Sequence, residues 1–365
     1  RQQCLFCRRV REVAQEAPRA VILVDGAHGE GGGQIVRASV ALAALTRQPC
    51  RIENIRAGRQ SPGLAAQHVA AVRAIAALSS AEVDGLKVGS RAIVFRPGDL
   101  KAGHHAVDVG TAGSLNLVLQ ACLPVALAAP SAVRLTLTGG TDVPWSPPHD
   151  YVARVFLPLL RRCGAQVDVM LLRRGYYPRG GGIVEVTILP EARAEPFHTE
   201  GPGGLRAIRG IAHASNLPED IPKRMKHAAM RRLHGRGDVK IEERVYSGDE
   251  AVGQGGALVL WAETEGTILG ADSLAARGKA SERIGEEAAS DLAAELDAGS
   301  SLDVHAADQL LPYLVQASDA SEFRVREVSG HLRTMAWLVQ RFTGREVSIG
   351  AHAGLWRVEV AETAR

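Results

Sequence analysis

The feature that most constrains the fold is an element order that occurs three times along the chain. Each occurrence predicts helix, strand, helix, strand, strand, with an apolar stripe on each helix and β-branched residues in the strands. The three units cover residues 21–96, 114–188 and 307–360. An order that repeats at this scale indicates similar units packed together. The sequence therefore predicts an α/β fold of three repeated βαβαββ-like modules.

A segment between the second and third units departs from this order. Residues 197–298 follow Pro196 and begin with the turn Gly201–Gly204. They contain their own predicted strands and two helices, one of them basic, which is enough for a compact α/β insert with a small core. The predicted organisation is an N-terminal extension of residues 1–19, a core of residues 20–196 and 299–365, and an inserted domain of residues 197–298.

Composition excludes several classes of protein. The net charge of +3 is too small to indicate a nucleic-acid binder by itself, and no apolar run reaches the length of a membrane span. The five cysteines are odd in number and scattered, which predicts reduced thiols and a cytoplasmic location. Cys4 and Cys7 form a CxxC pair without a second pair, which argues against structural zinc.

The stretch Asp25–Arg37 reads as the end of a strand, a glycine turn and the start of a helix. Glycine-rich backbone before a helix N-terminus can bind phosphate through its N–H groups. Glu30 would repel that phosphate unless a divalent cation lay between them, whereas Arg37 is one helical turn beyond Gly33. The stretch matches neither the Walker loop nor the dinucleotide fingerprint, and a simple turn explains it equally well.

Other short stretches have the composition of binding sites but also have plain structural explanations. The loop Arg56–Gly63 carries two arginines that suit phosphate, or it is a solvated loop. Gln120 follows small residues at a helix start and could read the edge of a base, or its amide is satisfied by backbone. His331 begins a helix, where the dipole favours its neutral, nucleophilic form, although most such histidines are structural.

Together these stretches resemble the RNA 3′-terminal phosphate cyclases, because they occur in that family's order and spacing from about residue 21 to 360. The matching segments are Asp25-Gly26, Gly29–Gln34, Arg56–Arg59, Pro62-Gly63, Gly110–Ser114 with Gln120, Gly139–Thr141, Pro147, Tyr177-Pro178, Gly180–Gly182, Asp308-Gln309 and Ser329–His331. The resemblance implies three modules like the C-terminal domain of a translation initiation factor, with a thioredoxin-like α/β insert before the third.

The resemblance also implies an activity. The family converts an RNA 3′-phosphate into a 2′,3′-cyclic phosphate, using ATP and releasing AMP and pyrophosphate. By matching position, His331 would attack the α-phosphorus of ATP and carry AMP as a phosphoramidate. The adenylate would then pass to the RNA 3′-phosphate, and the adjacent 2′-OH would close the ring and expel AMP. Ring closure is intramolecular, so proximity lowers its barrier.

The same matches assign the remaining site residues. Gln120, Pro147, Asp308 and Gln309 would line the ATP site, with His305 at its edge. Arg37, Arg59 and Gln67 would bind phosphates of ATP or RNA, and Glu30 would hold a divalent cation, Mg²⁺ or Mn²⁺. Two positions depart from the family: His305 stands where Tyr is usual, and Met335 where Asn is common.

Two further functions are compatible with the pattern. The family has catalytically silent relatives that act in ribosome assembly and have lost active-site residues. This chain retains Glu30, Arg37, Arg59, Gln120 and His331, which favours the enzyme. An α/β transferase for a small phosphorylated metabolite would share the repeated architecture but would leave His331 and Gln120 unexplained.

The position of the RNA is less well indicated. The basic helix of the insert and the segment Arg173–Tyr177 could contact phosphates and stack on bases. A solvated basic face and a hairpin turn explain them more simply. The basic residues of that helix are Lys223, Arg224, Lys226, Arg231 and Arg232. The expected partners are ATP and RNA with a 3′-phosphate, and not a membrane; the oligomeric state is open, a dimer included.

Overall fold

The computed structural model describes residues 20–190 and 194–363. The predicted extension of residues 1–19, with Cys4 and Cys7, lies outside the described residues. The first module consists of β1 (Ile22–Asp25), α1 (Gly33–Thr46), β2 (Cys50–Glu53), α2 (Ala66–Leu78), β3 (Glu82–Asp84) and β4 (Ile93–Arg96). Its strands are ordered β1-β2-β4-β3, with β1 parallel to β2 and the other neighbours antiparallel.

The second module repeats this arrangement. It consists of β5 (Gly103–Asp108), α3 (Leu115–Leu127), β6 (Val133–Gly139), α4, β7 (Gln166–Gly175) and β8 (Gly182–Leu189). Helix α4 runs from His149–Tyr151 through a π-helical turn, Val152–Phe156, to Leu157–Arg162. The strand order β5-β6-β8-β7 corresponds strand for strand to that of the first module, and the short β11 (Ala251–Val252) adds to β7. Strand β5 was not predicted, because its polar sequence lacks an apolar alternation.

The third module comprises α7 (Val304–Leu314), β14 (Ser321–Val325), α8 (Gly330–Thr343), β15 (Val347–His352) and β16 (Leu355–Val360). Its sheet order is β14-β16-β15, which matches the last three strands of the other modules. The position of the opening strand is taken by His198, which forms a parallel bridge with Glu322. Residues 197–199 thus pair with this sheet, whereas the domain boundary at residue 197 stays a prediction. The predicted α/β fold is confirmed.

The segment between these parts forms its own sheet and core. It contains β9 (Leu205–Ser215), α5 (Asp220–Arg232), β10 (Val239–Tyr246), the 3-10 turn Gly248–Glu250, β12 (Gly255–Thr264), β13 (Ile268–Leu274) and α6 (Ser281–Ala298). The strands are ordered β10-β9-β12-β13. The helices α5 and α6 pack on this sheet through a small apolar cluster. The apolar core of the three modules is continuous and also receives Val259 and Trp261 from β12. Strand β13 therefore lies beside the modules, close to α4 and α7.

Candidate active site

The glycine loop between β1 and α1 brings Glu30 to the start of α8. Gly29 and Gly31 both have a φ of 57°, a conformation that favours glycine, so the chain can turn sharply on each side of Glu30. A Cβ at Gly29 would lie 2.6 Å from Thr334 Oγ1, which shows how closely the loop packs on α8. The sequence predicted the turn, and its partner helix comes from the third module.

His331 lies at the exposed N-terminus of α8 and contacts Glu30. Ser329 caps the helix by accepting the Leu332 N–H at 3.0 Å. The distance from His331 Nδ1 to Glu30 Oε2 is 3.0 Å, and a Cβ at Gly330 would lie 2.4 Å from Glu30 Oε1. Glycine at position 330 therefore leaves the space that the carboxylate needs to reach the imidazole.

The surroundings of His331 favour the neutral imidazole. Partial burial lowers the pKa of His331, and the cations Arg37 and Arg59 add to this effect, while Glu30 opposes it. Nδ1 faces the Glu30 carboxylate, and a neutral ring with its proton on Nδ1 carries its lone pair on Nε2. The geometry thus supplies a histidine whose free nitrogen is a nucleophile.

A cavity of about 580 Å³ opens beside His331 between α1, α3, α7 and β13. It brings together seven of the residues predicted for the site. They are Arg37, Gln120, Pro147, His305, Asp308, Gln309 and His331. These residues come from all three modules, so the cavity exists only when the modules are packed.

Two glutamines bridge the cavity. Gln120 of α3 donates its Nε2–H to Gln309 Oε1 of α7 at 2.8 Å. The bond leaves the Gln120 oxygen and the Gln309 NH₂ group for a ligand. Pro147 is fixed from behind, because the buried Asn116 donates to the carbonyl oxygens of Thr141 and Pro147 at 2.8 and 2.9 Å. Sequence reasoning missed Asn116, whose partners lie in a loop distant along the chain.

Arg37 is half-buried on α1 and forms no hydrogen bond or ion pair with the residues that the structure describes. Burial lowers its pKa to about 10, while Asp308 opposes the change, so the guanidinium remains charged near neutral pH. Its Nη1 lies 2.9 Å from the place of a Cβ at Gly33. A buried cation without a protein partner is suited to bind an anionic ligand.

His68, which sequence reasoning missed, packs against Gly33 beside Arg37. Its Nδ1 accepts the Ala65 N–H at 3.0 Å, so the ring proton is on Nε2. Burial lowers its pKa to about 3, and the neighbouring Arg37 and Arg56 contribute. A Cβ at Gly33 would lie 2.0 Å from this Nε2. Glycine is thus required at the start of α1, and a neutral histidine packs against it.

The carboxyl group of Asp308 is held in a partly buried position. It accepts the Gln34 Nε2–H at 2.8 Å, and burial raises its pKa to about 7. His305 is exposed and lines the cavity. The buried Asp303 caps α7 by accepting the N–H groups of His305 and Ala306, and it also binds Tyr151 Oη and the Gly270 N–H. Asp303 thereby ties α7 to α4 and to the insert.

The insert contributes residues to the cavity that the sequence analysis missed. Asp272, Ser273 and Leu274 of β13 line it, with Lys279 and Glu287 nearby. Burial raises the pKa of Asp272 to about 7. An acidic residue in an otherwise apolar strand was the available signal. Trp145, 97% exposed, also lines the cavity and was missed because its loop has no periodic pattern.

Three predicted phosphate ligands lie in different places. Arg37 is in the cavity, while Arg59 lies on the outer side of the glycine loop and donates to the Glu30 carbonyl oxygen at 3.0 Å. Gln67 is separate from the cavity lining and accepts the Ser114 N–H at 3.2 Å, joining α2 to α3. Arg56 turns inward and donates to the Gly63 carbonyl oxygen. The roles of Arg37, Arg59 and Gln67 toward phosphate stay predictions.

The structure weakens the two predicted RNA-binding segments. Arg174 is 2% exposed and paired with Asp142 and Asp150, so it is inaccessible to RNA. On the basic helix α5, Arg224 pairs with Asp220, and Lys226 pairs with Glu243. The solvated basic face is therefore the better description of α5, and the chain at Arg174 is part of a buried network.

No helix in the described part of the chain is both long enough and apolar enough to cross a membrane. Within residues 20–190 and 194–363, no group of three or more His, Cys, Asp or Glu side chains is placed to hold a metal ion.

Comparisons with known proteins agree on one family. The family model described as RNA 3′-terminal phosphate cyclase matches residues 28–349. Proteins named RNA 3′-terminal phosphate cyclase are similar over most of their length: that of Nitrosospira multiformis is 47% identical, over 92% of this chain and 95% of the relative. That of Methanopyrus kandleri is 45% identical, over 92% and 97%. That of Pyrococcus furiosus is 42% identical, over 92% and 96%.

Proposed function

Because the chain belongs to the RNA 3′-terminal phosphate cyclase family, we propose that it converts an RNA 3′-phosphate into a 2′,3′-cyclic phosphate with ATP, through a covalent adenylate on His331. The observation that carries the proposal is the 3.0 Å contact between His331 Nδ1 and Glu30, at the mouth of the cavity. The contact orients the ring, so that Nε2 is the attacking atom.

The first step joins AMP to the enzyme. His331 Nε2 attacks the α-phosphorus of ATP, a P–N bond forms, and the bond to pyrophosphate breaks. The ring then carries positive charge, which the Glu30 carboxylate, 3.0 Å from Nδ1, stabilises. Arg37 and Arg59 would offset the charge of the phosphates during this step. Arg37 is suited to this because it forms no ion pair with an anionic side chain in residues 20–190 and 194–363.

The second and third steps transfer AMP and close the ring. An oxygen of the RNA 3′-phosphate attacks the α-phosphorus, and the P–N bond breaks, which restores the neutral His331. The RNA then has an anhydride with AMP as a leaving group. The 2′-OH attacks the 3′-phosphorus, loses its proton to solvent, and releases AMP. Per RNA end, one ATP yields one AMP and one pyrophosphate.

The cavity would hold the nucleoside part of ATP. The oxygen of Gln120 and the NH₂ group of Gln309 supply an acceptor and a donor, which match the edge of adenine. Pro147 and His305 would pack on the flat faces of the base, and Asp308, which lines the same cavity as the nucleophile, would bind the ribose. His305 in place of Tyr keeps a planar ring at this position.

A divalent cation, Mg²⁺ or Mn²⁺, would bind to Glu30 together with the phosphates of the substrate. Such ions bind to one or two carboxylates together with substrate phosphates, rather than to a full set of protein ligands. Glu30 is a single carboxylate beside the glycine loop. An ion held there would supply positive charge to the triphosphate. The cytoplasm stays the proposed location, since the thiols of Cys50 and Cys122 are buried and form no disulfide among the described residues.

The test is covalent labelling with ATP that carries a label at the α-phosphate. We expect the parent chain to retain an acid-labile, alkali-stable label, and His331→Ala to lose it by a factor of about 10⁴ or more. His305→Ala is the matched control, because this histidine lies in the same cavity but should retain the label at raised ATP concentration. A folded parent that binds RNA yet takes no label would instead support the silent assembly factor.

A further inference from the structure

An aromatic stack lies next to the nucleophile and has no part in the steps above. The imidazole of His28 stacks on the indole of Trp337, with ring centroids 3.9 Å apart and an interplanar angle of 18°. Trp337 is half-buried against the core, whereas His28 is exposed. Because Trp337 covers one face of the His28 ring, the exposed area is its outer face and edge. A flat π surface is thus presented to solvent.

The loop holds this ring in place. The His28 N–H donates to the Asp25 carbonyl oxygen at 3.1 Å, and the Gly31 N–H donates to the His28 carbonyl oxygen at 3.0 Å. The Asp25 carboxylate also accepts the Ala27 N–H at 3.1 Å. These bonds form two successive turns, so the ring would lose little freedom when a ligand stacks on it.

Arginines extend this surface along α8. Arg333, Trp337 and Arg341 are spaced by four residues and share one side of the helix. The Arg341 guanidinium lies 5.7 Å from the Trp337 ring, and Arg333 lies 5.9 Å from the Trp356 ring. Both arginines are exposed, and neither forms an ion pair with a described residue. Exposed cations that alternate with aromatic rings are typical of surfaces that bind single-stranded nucleic acid.

The surface and the cavity lie on different sides of His331. On α8, His331 and Met335 are the residues that line the cavity. Arg333, Trp337 and Arg341 follow a different stripe of the helix, and His28 is two residues from Glu30, which contacts His331. A ligand on the His28–Trp337 stack can therefore approach His331 without entering the cavity proposed for ATP.

We propose that the His28–Trp337 stack is the binding platform for a base near the 3′ end of the RNA, and that Arg333 and Arg341 bind the neighbouring backbone phosphates. Every base has a π face, so the platform accepts single-stranded RNA ends with little sequence preference. This inference rests on the proposed function, since it assigns the position of the RNA relative to the histidine that carries AMP.

The test separates the ATP step from the RNA step. His28→Ala removes the outer ring, and His28→Phe retains it without the imidazole. His104→Ala removes an exposed histidine from β5 and is the matched control. Each variant is assayed for label transfer from ATP alone and for the KM of a single-stranded oligonucleotide with a 3′-phosphate. Direct binding of the same oligonucleotide is measured by fluorescence anisotropy.

We expect His28→Ala to raise the KM and the Kd for RNA by about 5- to 150-fold, the range for loss of one stacked base. His28→Phe should restore both, while label transfer from ATP stays at the parent level. An unchanged KM and Kd in His28→Ala would overturn the platform, as would failure of His28→Phe to restore them. A parent without label would instead refute the proposed function, so the two failures are distinguishable.

Discussion

The clusters around Arg174 and Arg37 contain the same kinds of residue in opposite electrostatic states. Arg174 donates to Asp142 and Asp150 at 3.0 and 2.7 Å, and His213 completes the cluster, in which all four side chains are buried. Arg37 lies near Asp308 and His331 but makes no hydrogen bond or ion pair among the described residues. In the Arg174 cluster the opposite charges pair with one another. In the Arg37 cluster the guanidinium has no ion pair among the described residues and is available to a ligand.

The pKa shifts express this difference. Burial would raise the pKa of Asp142, but Arg174 and His213 outweigh it and hold that pKa well below its usual range. At Asp308 burial prevails, and the pKa rises to about 7. The Arg174 cluster also joins β7 of the second module to β9 of the insert, since His213 belongs to β9. We interpret it as a junction, and the Arg37 cluster as the binding site.

The largest expected effect comes from breaking the junction with Arg174→Met. Its removal leaves Asp142 and Asp150 buried without a cation, so the free energy of unfolding should fall by about 3–5 kcal/mol. Denaturant unfolding measures this loss. If the variant fails to fold, Arg174→Lys retains the charge and should show a smaller loss. A loss below about 1 kcal/mol in Arg174→Met would contradict the junction.

Arg37→Met is the matched control, with the opposite outcome. The guanidinium of Arg37 is desolvated without an ion pair or hydrogen bond to any described residue, so the free energy of unfolding should stay constant or rise. Label transfer from ATP should fall by about 10²- to 10³-fold, as when one charge-stabilising group is removed from an active site. Equal destabilisation of both arginine variants would remove the distinction between the clusters.

The sequence predicted several of the residues that line the candidate cavity and little of the junction. His331 lies at a helix start, and Gln120 and Asp308 lie within helices, all in segments that match a family, so their approximate positions follow from local structure. Arg174 follows Arg173 and precedes Gly175 and two tyrosines, which is the pattern of an exposed basic hairpin. Its burial depends on Asp142, Asp150 and His213, and no local pattern predicts how those segments pack.

Some residues of the cavity were not predicted for the same reason. Asp272 and Lys279 reach the cavity only because the insert docks on the modules beside α4 and α7. Asp303 holds that arrangement through Gly270 and Tyr151. Such contacts join residues that are far apart in sequence, whereas the element order within each module is determined by local periodicity and was predicted well.

The second expected effect concerns the free energy of unfolding, which should change with pH in opposite directions for the acidic residues of the two clusters. The pKa of Asp308 is about 7 in the folded chain, against an ordinary value of 3.8. Between these two pH values the folded state therefore keeps the proton on Asp308, whereas the unfolded state has released it. Stability from this group falls as pH rises from about 4 to 7. Asp308→Asn should thus match the parent near pH 4 and exceed it by roughly 1–3 kcal/mol at pH 8.

Asp142→Asn sharpens this comparison. The pKa of Asp142 is lowered, so its stabilising effect is present at neutral pH and is lost as pH falls below about 4. The variant should be less stable than the parent at pH 7, and the difference should shrink in acid. Unfolding free energies measured from about pH 2 to 8 test both variants. Parallel pH profiles for the two variants would contradict the assignment.

The smallest expected effect compares two serine caps. Ser114 accepts the Leu117 N–H at 3.2 Å at the start of α3, and Ser329 accepts the Leu332 N–H at 3.0 Å at the start of α8. Each change to Ala removes one cap and should cost about 1 kcal/mol of unfolding free energy. Only Ser329 is two residues from His331, so only Ser329→Ala should displace the nucleophile.

Label transfer from ATP is the measurement that separates these two effects. We expect Ser329→Ala to slow it roughly threefold to tenfold, because a small displacement of the attacking nitrogen lowers the population of reactive geometry. Ser114→Ala should keep the parent rate at equal loss of stability. Equal rates for the two variants would mean that the Glu30 contact alone positions His331. The start of α8 would then serve stability in the same way as the start of α3.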